Sequence, residues 1–185
     1  MFKYSIGNKK LGKDTLIFNM GPATTCPSRA RGLCQVPAGK CYALKAERCY
    51  PACLPYREAQ EMYWRTHSAG EIARDLIKVL DRKKAVKFVR VNESGDFRSL
   101  ADVAKLFGLA RLVPWMRFYV YTARRDFIQD LRTAPRNLVV NGSGFMVDNN
   151  FLYEAKEFDY KCPGDCRTCQ HCKVKGQKTI RIAAH

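Results

Sequence analysis

The sequence lacks long apolar segments and several common enzyme motifs. No run approaches the roughly 18 apolar residues that a membrane-spanning helix needs, and the opening segment MFKYSIGNKKLGKD lacks the apolar core of a secretory signal. These absences predict a cytoplasmic protein without membrane association. The sequence also has no Walker phosphate loop, dinucleotide-binding glycine fingerprint or G-x-S-x-G elbow, so nucleotide hydrolysis and serine chemistry have no support.

Cysteine, in contrast, is abundant for a chain of this length. Nine cysteines occur among 185 residues, and an odd number of thiols cannot all form disulfides within one chain. Thiols in a reducing cytoplasm seldom persist as structural disulfides, and clustered thiols more often hold a metal. We therefore expect the cysteine clusters to carry the function.

The chain is also strongly basic. Its 33 Lys and Arg residues against 17 Asp and Glu residues give a formal net charge of +16. Such a charge attracts partners that carry phosphate, but no recognised nucleic-acid-binding motif accompanies it. A nucleic-acid partner and a simply basic soluble surface therefore both stay open.

Apolar patterning predicts a single α/β domain over residues 1–185. β-branched runs predict strands at 15–20, 85–91, 117–122, 137–141 and 179–183. Helical periodicity predicts helices at 55–67, 69–82, 100–112 and 127–132. Strands separated by single helices need crossover connections, which favours a parallel sheet. Because a full eight-stranded barrel takes roughly 250 residues, we expect a partial (β/α) TIM-like barrel with a cysteine-rich C-terminal tail.

Polar side chains follow several predicted strands at the points where the strands end. In a parallel β/α sheet these ends lie at one edge, where ligand sites form. We therefore predict a cosubstrate or substrate site whose candidate catalytic residues are Glu93, Asp96, Tyr121, Arg124, Asn141 and Ser143. The alternative is that they are loop residues and helix caps, with Asp96 or Ser99 capping the next helix.

Four cysteines lie close together in the tail segment 162–172. Cys162, Cys166, Cys169 and Cys172 are separated by short polar spacers that are unsuited to core packing. Structural zinc sites usually draw their thiolates from two knuckles separated by a longer loop, whereas iron–sulfur clusters often use closely spaced cysteines. The tail is therefore predicted to bind an iron–sulfur cluster, with zinc as the alternative.

The spacing of the first three tail cysteines bears on reactivity. Cys162, Cys166 and Cys169 have the C-x3-C-x2-C spacing with which radical S-adenosylmethionine enzymes hold three irons of a [4Fe–4S] cluster and leave the fourth open. Those enzymes carry the motif after their first strand, and here Cys172 is available for the fourth iron. An open iron would bind S-adenosylmethionine, whereas a closed cluster would serve structure or electron transfer. His171 is a candidate alternative ligand.

A second group of cysteines occupies the loop 26–53. The candidates for further metal ligands in it are Cys26, Cys34 and Cys41, either completing the tail cluster or forming a separate site. Cys49 and Cys53 fit ordinary buried thiols better. The last residue, His185, follows the final predicted strand and is a further candidate at the ligand-bearing edge.

Short motifs along the chain resemble a family of bacteriophage proteins named after gene product eighty-eight. They are the elements Cys26-Pro27, Cys41-Tyr42-Ala43 and Tyr50-Pro51, together with the cysteine-rich tail. The resemblance implies a phage-encoded protein of the bacterial cytoplasm, with a barrel-like fold distantly related to radical S-adenosylmethionine enzymes and a [4Fe–4S] cluster. It implies no particular reaction, and Cys49 and Cys53 depart from the family pattern.

Overall fold

A computed structural model describes residues 1–183 and shows a mostly parallel sheet with helices packed on one face. The strands are β1 (Ser5–Ile6), β2 (Thr15–Phe18), β3 (Phe88–Val91), β4 (Arg117–Thr122), β5 (Leu138–Ser143), β6 (Asn149–Tyr153), β7 (Tyr160–Lys161) and β8 (Thr179–Ile182). The helices are α1 (Pro27–Ala30), α2 (Tyr42–Cys49), α3 (Cys53–Thr66), α4 (Ala69–Arg82), α5 (Leu100–Leu112) and α6 (Ile128–Leu131). Short 3-10 turns cover Ala38–Lys40, Arg125–Phe127 and His171–Lys173.

The strands form one sheet in the order β1-β2-β3-β4-β5-β6-β8-β7. All neighbouring pairs are parallel except β1 and β2, which are antiparallel. The predicted α/β class with parallel strands is therefore confirmed. Within residues 1–183 no hydrogen-bonded pairing joins the edge strands β1 and β7, and the partial TIM-like barrel stays a prediction.

Side chains alternate across the strands, so the two faces of the sheet have different partners. On one face Leu16, Val89 and Phe118 are buried against the apolar sides of α3, α4 and α5. On the opposite face Tyr119 and Val139 pack against the C-terminal segment. The helices α3 to α6 therefore cover one face, and the tail covers the other.

The structure adds elements that the sequence patterns did not predict. α2 lies inside the cysteine-rich loop, and β1 and β7 are pairs of residues too short to show a period. β6 begins with two asparagines, which are uncommon in strands. Ser99 precedes α5 without a side-chain capping bond, so its predicted capping role is wrong. No helix within residues 1–183 is long and apolar enough to cross a membrane.

Candidate metal centre

The tail segment 162–172 is fixed against the face of the sheet that the helices leave free. Cys172 is buried beside Tyr119, and its carbonyl oxygen accepts a hydrogen bond from Asn141 Nδ2 at 3.0 Å. Nearer the amino ends of the strands, the N–H of Cys166 donates to the carbonyl oxygen of Lys10 at 2.9 Å. The predicted ligands thus lie within the fold.

The four tail thiols form one electrostatically interacting group. The Cys166 thiol donates a hydrogen bond to the Cys172 sulfur, and Cys162 interacts with both Cys166 and Cys169. The bond from Cys166 lowers the pKa of Cys172 to about 7, against the effect of burial, and the Tyr121 hydroxyl adds to the lowering. The same thiol–thiol bond raises the pKa of Cys166. These electrostatic interactions place the four thiols near one another, and their role as ligands of one cluster stays a prediction.

A fully buried lysine lies next to this group. The Lys173 ammonium is 3.4 Å from the Cys166 carbonyl oxygen, 3.9 Å from the Asp14 carboxylate and 4.1 Å from the centre of the Phe88 ring. A buried cation with so distant a counter-ion is costly, by several kcal/mol in typical cases. An anionic metal–thiolate centre beside it would offset that cost.

A second cation, Arg90, also lies near this group. Its guanidinium is 5.1 Å from the centre of the Tyr121 ring, and it interacts electrostatically with Cys166 and Cys172. Its Nε is a buried donor that has no hydrogen-bond acceptor among residues 1–183. Such orphaned donors are rare in folded proteins, and a charged ligand is one established reason for them. The donor set and its surroundings therefore fit an anionic metal centre.

Four of the six candidate catalytic residues meet at the carboxyl edge of the sheet. They line a cavity of about 170 Å³ together with the three cysteines of the preceding loop. The candidates are Glu93, Asp96, Tyr121 and Ser143, and the cysteines are Cys26, Cys34 and Cys41. Because Tyr121 also bonds to Cys172, it lies between this edge cavity and the tail thiols.

The other two candidates, Arg124 and Asn141, are placed elsewhere. Arg124 is buried, is 2.7 Å from Asp126 through Nη2, and also donates to the Phe97 carbonyl oxygen. Asn141 faces the tail, where it joins β5 to Cys172. Position near a strand end is therefore insufficient to place a side chain at the cavity, because alternation directs some of these side chains away from it.

Asp96 organises one wall of the edge cavity. Its buried carboxylate accepts hydrogen bonds from Ser28 Oγ at 2.6 Å and Thr122 Oγ1 at 2.7 Å, and from the N–H groups of Phe97 and Ala123 at 2.8 Å. Burial raises the pKa of Asp96, and these four donors oppose the increase. Asp96 therefore ties the cysteine loop to the end of β4. The alternative prediction that Asp96 caps α5 is wrong.

Glu47 and Gln35 anchor the cysteine loop, and the sequence patterns did not single out either. Glu47 is buried, pairs with Arg57 at 2.8 Å and accepts the N–H groups of Ala23 and Thr24 at 2.6 and 2.9 Å. Gln35 Nε2 donates to Ser143 Oγ at 2.9 Å. Both residues act from a segment with irregular spacing, where no periodic signal marks a buried polar side chain.

Backbone N–H groups are directed at two of the edge sulfurs. Burial raises the pKa of Cys26 to about 11, and the N–H groups of Arg29 and Ser28 oppose this increase. Burial also raises the pKa of Cys34, opposed by the N–H of Val36. These bonds favour thiolates, although metal coordination would be needed to keep buried thiols deprotonated at neutral pH.

The remaining cysteines and histidines lie apart from the edge cavity. Cys49 is exposed, so the expectation of a buried thiol is wrong there, and Cys53 is partly buried. His171 packs against Tyr160 in a tilted arrangement, with 3.9 Å between the ring centres, and His185 lies outside the described residues. No group of three or more His, Cys, Asp or Glu side chains in residues 1–183 is arranged to hold a metal ion.

Comparison with known proteins identifies one family. A family model described as Gene product 88 matches residues 2–155, which include the edge cavity and end before the tail cysteines. No curated protein and no solved structure matches the chain significantly. Because the matched region covers more than half of the 185 residues, the chain belongs to the Gene product 88 family.

Proposed function

We propose that the protein binds a [4Fe–4S] cluster through Cys162, Cys166, Cys169 and Cys172. The observation that carries the proposal is the association of these thiols on the buried face of the sheet beside Lys173 and the unpartnered Arg90 Nε. A cluster bound by four thiolates is anionic, and nearby charge and hydrogen bonds are what tune its potential. The two cations are suited to that task.

Cys172 favours a closed cluster. It contacts Cys166 and lies deepest of the four tail thiols in the fold, so all four irons have a cysteine available. Such a cluster, when bound, would supply structural support or electron transfer. The alternative with an open iron that binds S-adenosylmethionine would require Cys172 to leave the group.

The barrel-like curvature and the distant relation to radical S-adenosylmethionine enzymes belong to the same proposal. The strand order supports the barrel-like architecture, since β2 to β6 follow one another in the sheet as in the chain and are all parallel. The distant relation rests on the resemblance of the sequence motifs alone. The family name and the resemblance support a phage-encoded protein that acts in the cytoplasm of a bacterial host.

Replacement of one tail ligand tests the proposal. Cys166→Ser should lose about four irons and the matching sulfide per chain after anaerobic purification, because one missing thiolate destabilises the whole cluster. Cys49→Ser, which changes an exposed cysteine, should keep the metal content of the unmodified protein. Full iron retention in Cys166→Ser would contradict the proposal. If the unmodified protein contains zinc without sulfide, and Cys166→Ser loses that zinc, the zinc alternative would be favoured.

A second candidate function is a nucleic-acid-binding or redox-regulatory module whose cluster stiffens a basic surface. The net charge of +16 favours it. Binding of a fluorescent DNA duplex or RNA should then weaken steeply between about 50 and 200 mM salt, without turnover of S-adenosylmethionine. Absence of binding at the lower salt concentration would exclude this candidate.

A further inference from the structure

We propose that the amino edge of the sheet binds single-stranded nucleic acid, with a base stacked on Trp115 and phosphates paired with Lys87, Arg117 and Arg136. These four residues form the amino-edge surface. The inference rests on the second candidate function for the class of partner, and it adds the site and the single-stranded form. It requires no metal, because none of the four residues is a candidate metal ligand.

Trp115 is an exposed aromatic side chain on a fixed backbone. It is 67% exposed and lies in the turn between α5 and β4. The Met116 N–H donates to the Val113 carbonyl oxygen at 3.1 Å, which closes the turn, and both of these side chains are buried. Asn137 Nδ2 donates to the carbonyl oxygens of Val113 and Met116, at 3.2 and 3.0 Å. An indole on such a support offers a large contact area at a low cost in conformational entropy.

Three exposed cations lie at the starts of neighbouring strands beside this turn. Arg117 begins β4, Lys87 directly precedes β3, and Arg136 lies just before β5. The register keeps these strand starts level, since Phe88 is paired with Arg117 and the β5 partner of Phe118 is the first residue of that strand. Because neighbouring strands are about 4.8 Å apart, the three backbone positions span roughly 10 Å.

Helix dipoles do not account for these strand-start cations. The helices α4, α5 and α6 each precede one of the three strands and end at the same edge. Basic residues at their ends, Lys83, Arg111 and Arg132, complement the negative end of each helix. The strand-start cations have no such role, because strands contribute only small net dipoles.

The positive charge of the amino-edge surface is not neutralised by the rest of the protein. None of its three cations forms an ion pair within residues 1–183. Two carboxylates near this edge are engaged with other cations, Asp81 at 3.2 Å from Lys84 and Asp14 at 3.9 Å from Lys173. The free cations are therefore available to phosphate.

The combination of free cations with an exposed indole favours a single strand over a duplex. Bases of a single strand stack on aromatic side chains, while basic side chains follow the phosphates. Bases of a duplex are already paired and stacked, and extruding one costs a few kcal/mol. Trp115 would therefore contribute to the binding of a single strand and add little to the binding of a duplex.

Tryptophan fluorescence tests the stacking contact. Trp64, the other tryptophan of the chain, is buried, and its Nε1 donates to Asp102 at 2.7 Å, so it should not respond to a ligand at the edge. Anaerobically purified protein is titrated with oligo(dT) at about 50 mM salt. We expect saturable quenching that Trp115→Phe abolishes. Quenching of equal size in Trp115→Phe would overturn the inference.

Fluorescence anisotropy of labelled oligo(dT) tests the contribution of Trp115 to affinity. Trp115→Ala should weaken binding at least about fivefold, because a base loses its stacking partner. Tyr50→Ala removes an aromatic side chain that is 66% exposed at the end of α2, and it should leave the affinity unchanged. Equal affinity of Trp115→Ala and the unmodified protein would contradict the stacking contact.

The salt dependence of binding tests the three cations. Combined replacement of Lys87, Arg117 and Arg136 by Gln should reduce the slope of log affinity against log salt by about 2, since each phosphate contact to a single strand contributes about 0.7. Arg48→Gln changes an exposed cation of α2 and should keep the slope of the unmodified protein. An unchanged slope in the triple variant would contradict the phosphate contacts.

The outcomes separate this inference from the candidate function on which it rests. Oligo(dT) binding that neither Trp115→Ala nor the triple variant changes would leave nucleic-acid binding standing and overturn the amino-edge surface. Tighter binding of a duplex of the same length would overturn the single-stranded form. A blue shift of tryptophan emission with phosphatidylglycerol vesicles, without quenching by oligo(dT), would assign the surface to a membrane and overturn the inference. Absence of any nucleic-acid binding would exclude the candidate function as well.

Discussion

Individual buried charges define the chemistry at the scale of the residue. Lys173 and Arg90 place positive charge beside the tail thiols, whereas Asp96 and Glu47 use their carboxylates to fix the cysteine loop. Buried ionised groups are expensive unless they are paired or hydrogen-bonded. The two kinds of charge therefore differ: Lys173 and Arg90 are suited to the proposed tail cluster, whereas Asp96 and Glu47 fix the shape of the cysteine loop 26–53.

The charge of Lys173 should raise the reduction potential of the tail cluster. In Lys173→Met we expect the reduction potential to fall by tens of millivolts. Reduction adds negative charge to the cluster, and the variant lacks the nearby positive charge that favours this step. Redox titration followed by electron paramagnetic resonance measures the shift. Lys175→Met removes the same charge from a more exposed side chain and should change the potential much less. Equal shifts in both variants would contradict a local effect of Lys173.

Asp96 should contribute strongly to stability. Asp96→Asn replaces one acceptor oxygen by an NH2 group, which cannot accept the hydrogen bonds that this oxygen receives. We expect a loss of about 3 kcal/mol in the free energy of unfolding. Urea unfolding of the metal-free protein measures it. Asp81→Asn changes an exposed carboxylate whose partner, Lys84, lies 3.2 Å away, and it should cost less than about 1 kcal/mol.

At this scale the sequence indicated candidate ligands but few of the contacts around them. The tail spacing indicated that Cys162 to Cys172 act together. The structure places Cys166 beside Cys172, and the shared cluster stays a prediction. The roles of Lys173, Arg90 and Glu47 had no local signal, because each depends on a partner far away in the sequence. Arg124 and Asn141 do not line the edge cavity, because strand-end position alone does not give side-chain direction.

Local capping and anchoring explain where several elements begin and end. Ser68 and Glu71 form a reciprocal capping box at the start of α4, with distances of 2.7 and 3.3 Å. Ser99 occupies the same position before α5 without such a bond. The two helices therefore offer a matched comparison of a capped and an uncapped start.

Ser68→Ala should lower the free energy of unfolding by about 1 kcal/mol, as is typical for the loss of a cap. Ser99→Ala should change it little, because no side-chain bond is lost. Chemical denaturation of both variants, compared at the same pH, measures the difference. A larger cost for Ser99→Ala would contradict this assignment of the caps.

The effect of the Ser68 cap should also depend on pH. Hydrogen bonds from Ser68 lower the pKa of Glu71 below its ordinary value of 4.5. A carboxyl whose pKa is lower in the folded than in the unfolded chain stabilises the fold at pH values above its unfolded-state pKa. This contribution is lost as the pH falls through its folded-state pKa. The difference between Ser68→Ala and the unmodified protein should therefore shrink below about pH 4.5.

Periodic elements were predicted well, and irregular ones were not. The predicted bounds 69–82, 100–112 and 117–122 coincide with those of α4, α5 and β4, which carry clear apolar patterns. α2 was missed in the cysteine-rich loop, where it is held by the tertiary contacts of Glu47. Elements that depend on such contacts leave no regular pattern in the sequence.

At the scale of the whole molecule, the tail acts as a cover for one face of the sheet. Cys172 and Ile180 are buried against β4 and β5, on the face opposite the helices. A metal centre between the tail and the strands would add its binding free energy to the free energy of folding. The tail should therefore be the part of the fold that depends most on metal.

Metal removal should weaken the attachment of the tail. After chelation under oxidising conditions, re-reduction of the thiols and removal of the chelator, we expect a lower unfolding temperature and faster tryptic cleavage near Lys161 and Arg167, while the helical signal in circular dichroism is largely kept. Differential scanning fluorimetry and timed proteolysis measure these changes. An unchanged unfolding temperature together with an unchanged cleavage rate would contradict a structural contribution of the metal.

The most direct test of the central claim is the metal and sulfide content of the unmodified protein, purified without oxygen. We expect a brown protein in which iron and acid-labile sulfide occur in equal amounts and zinc is nearly absent, because the proposed tail centre is an iron–sulfur cluster. A colourless protein that contains zinc without sulfide, or that binds no metal after reconstitution with iron and sulfide, would contradict the claim.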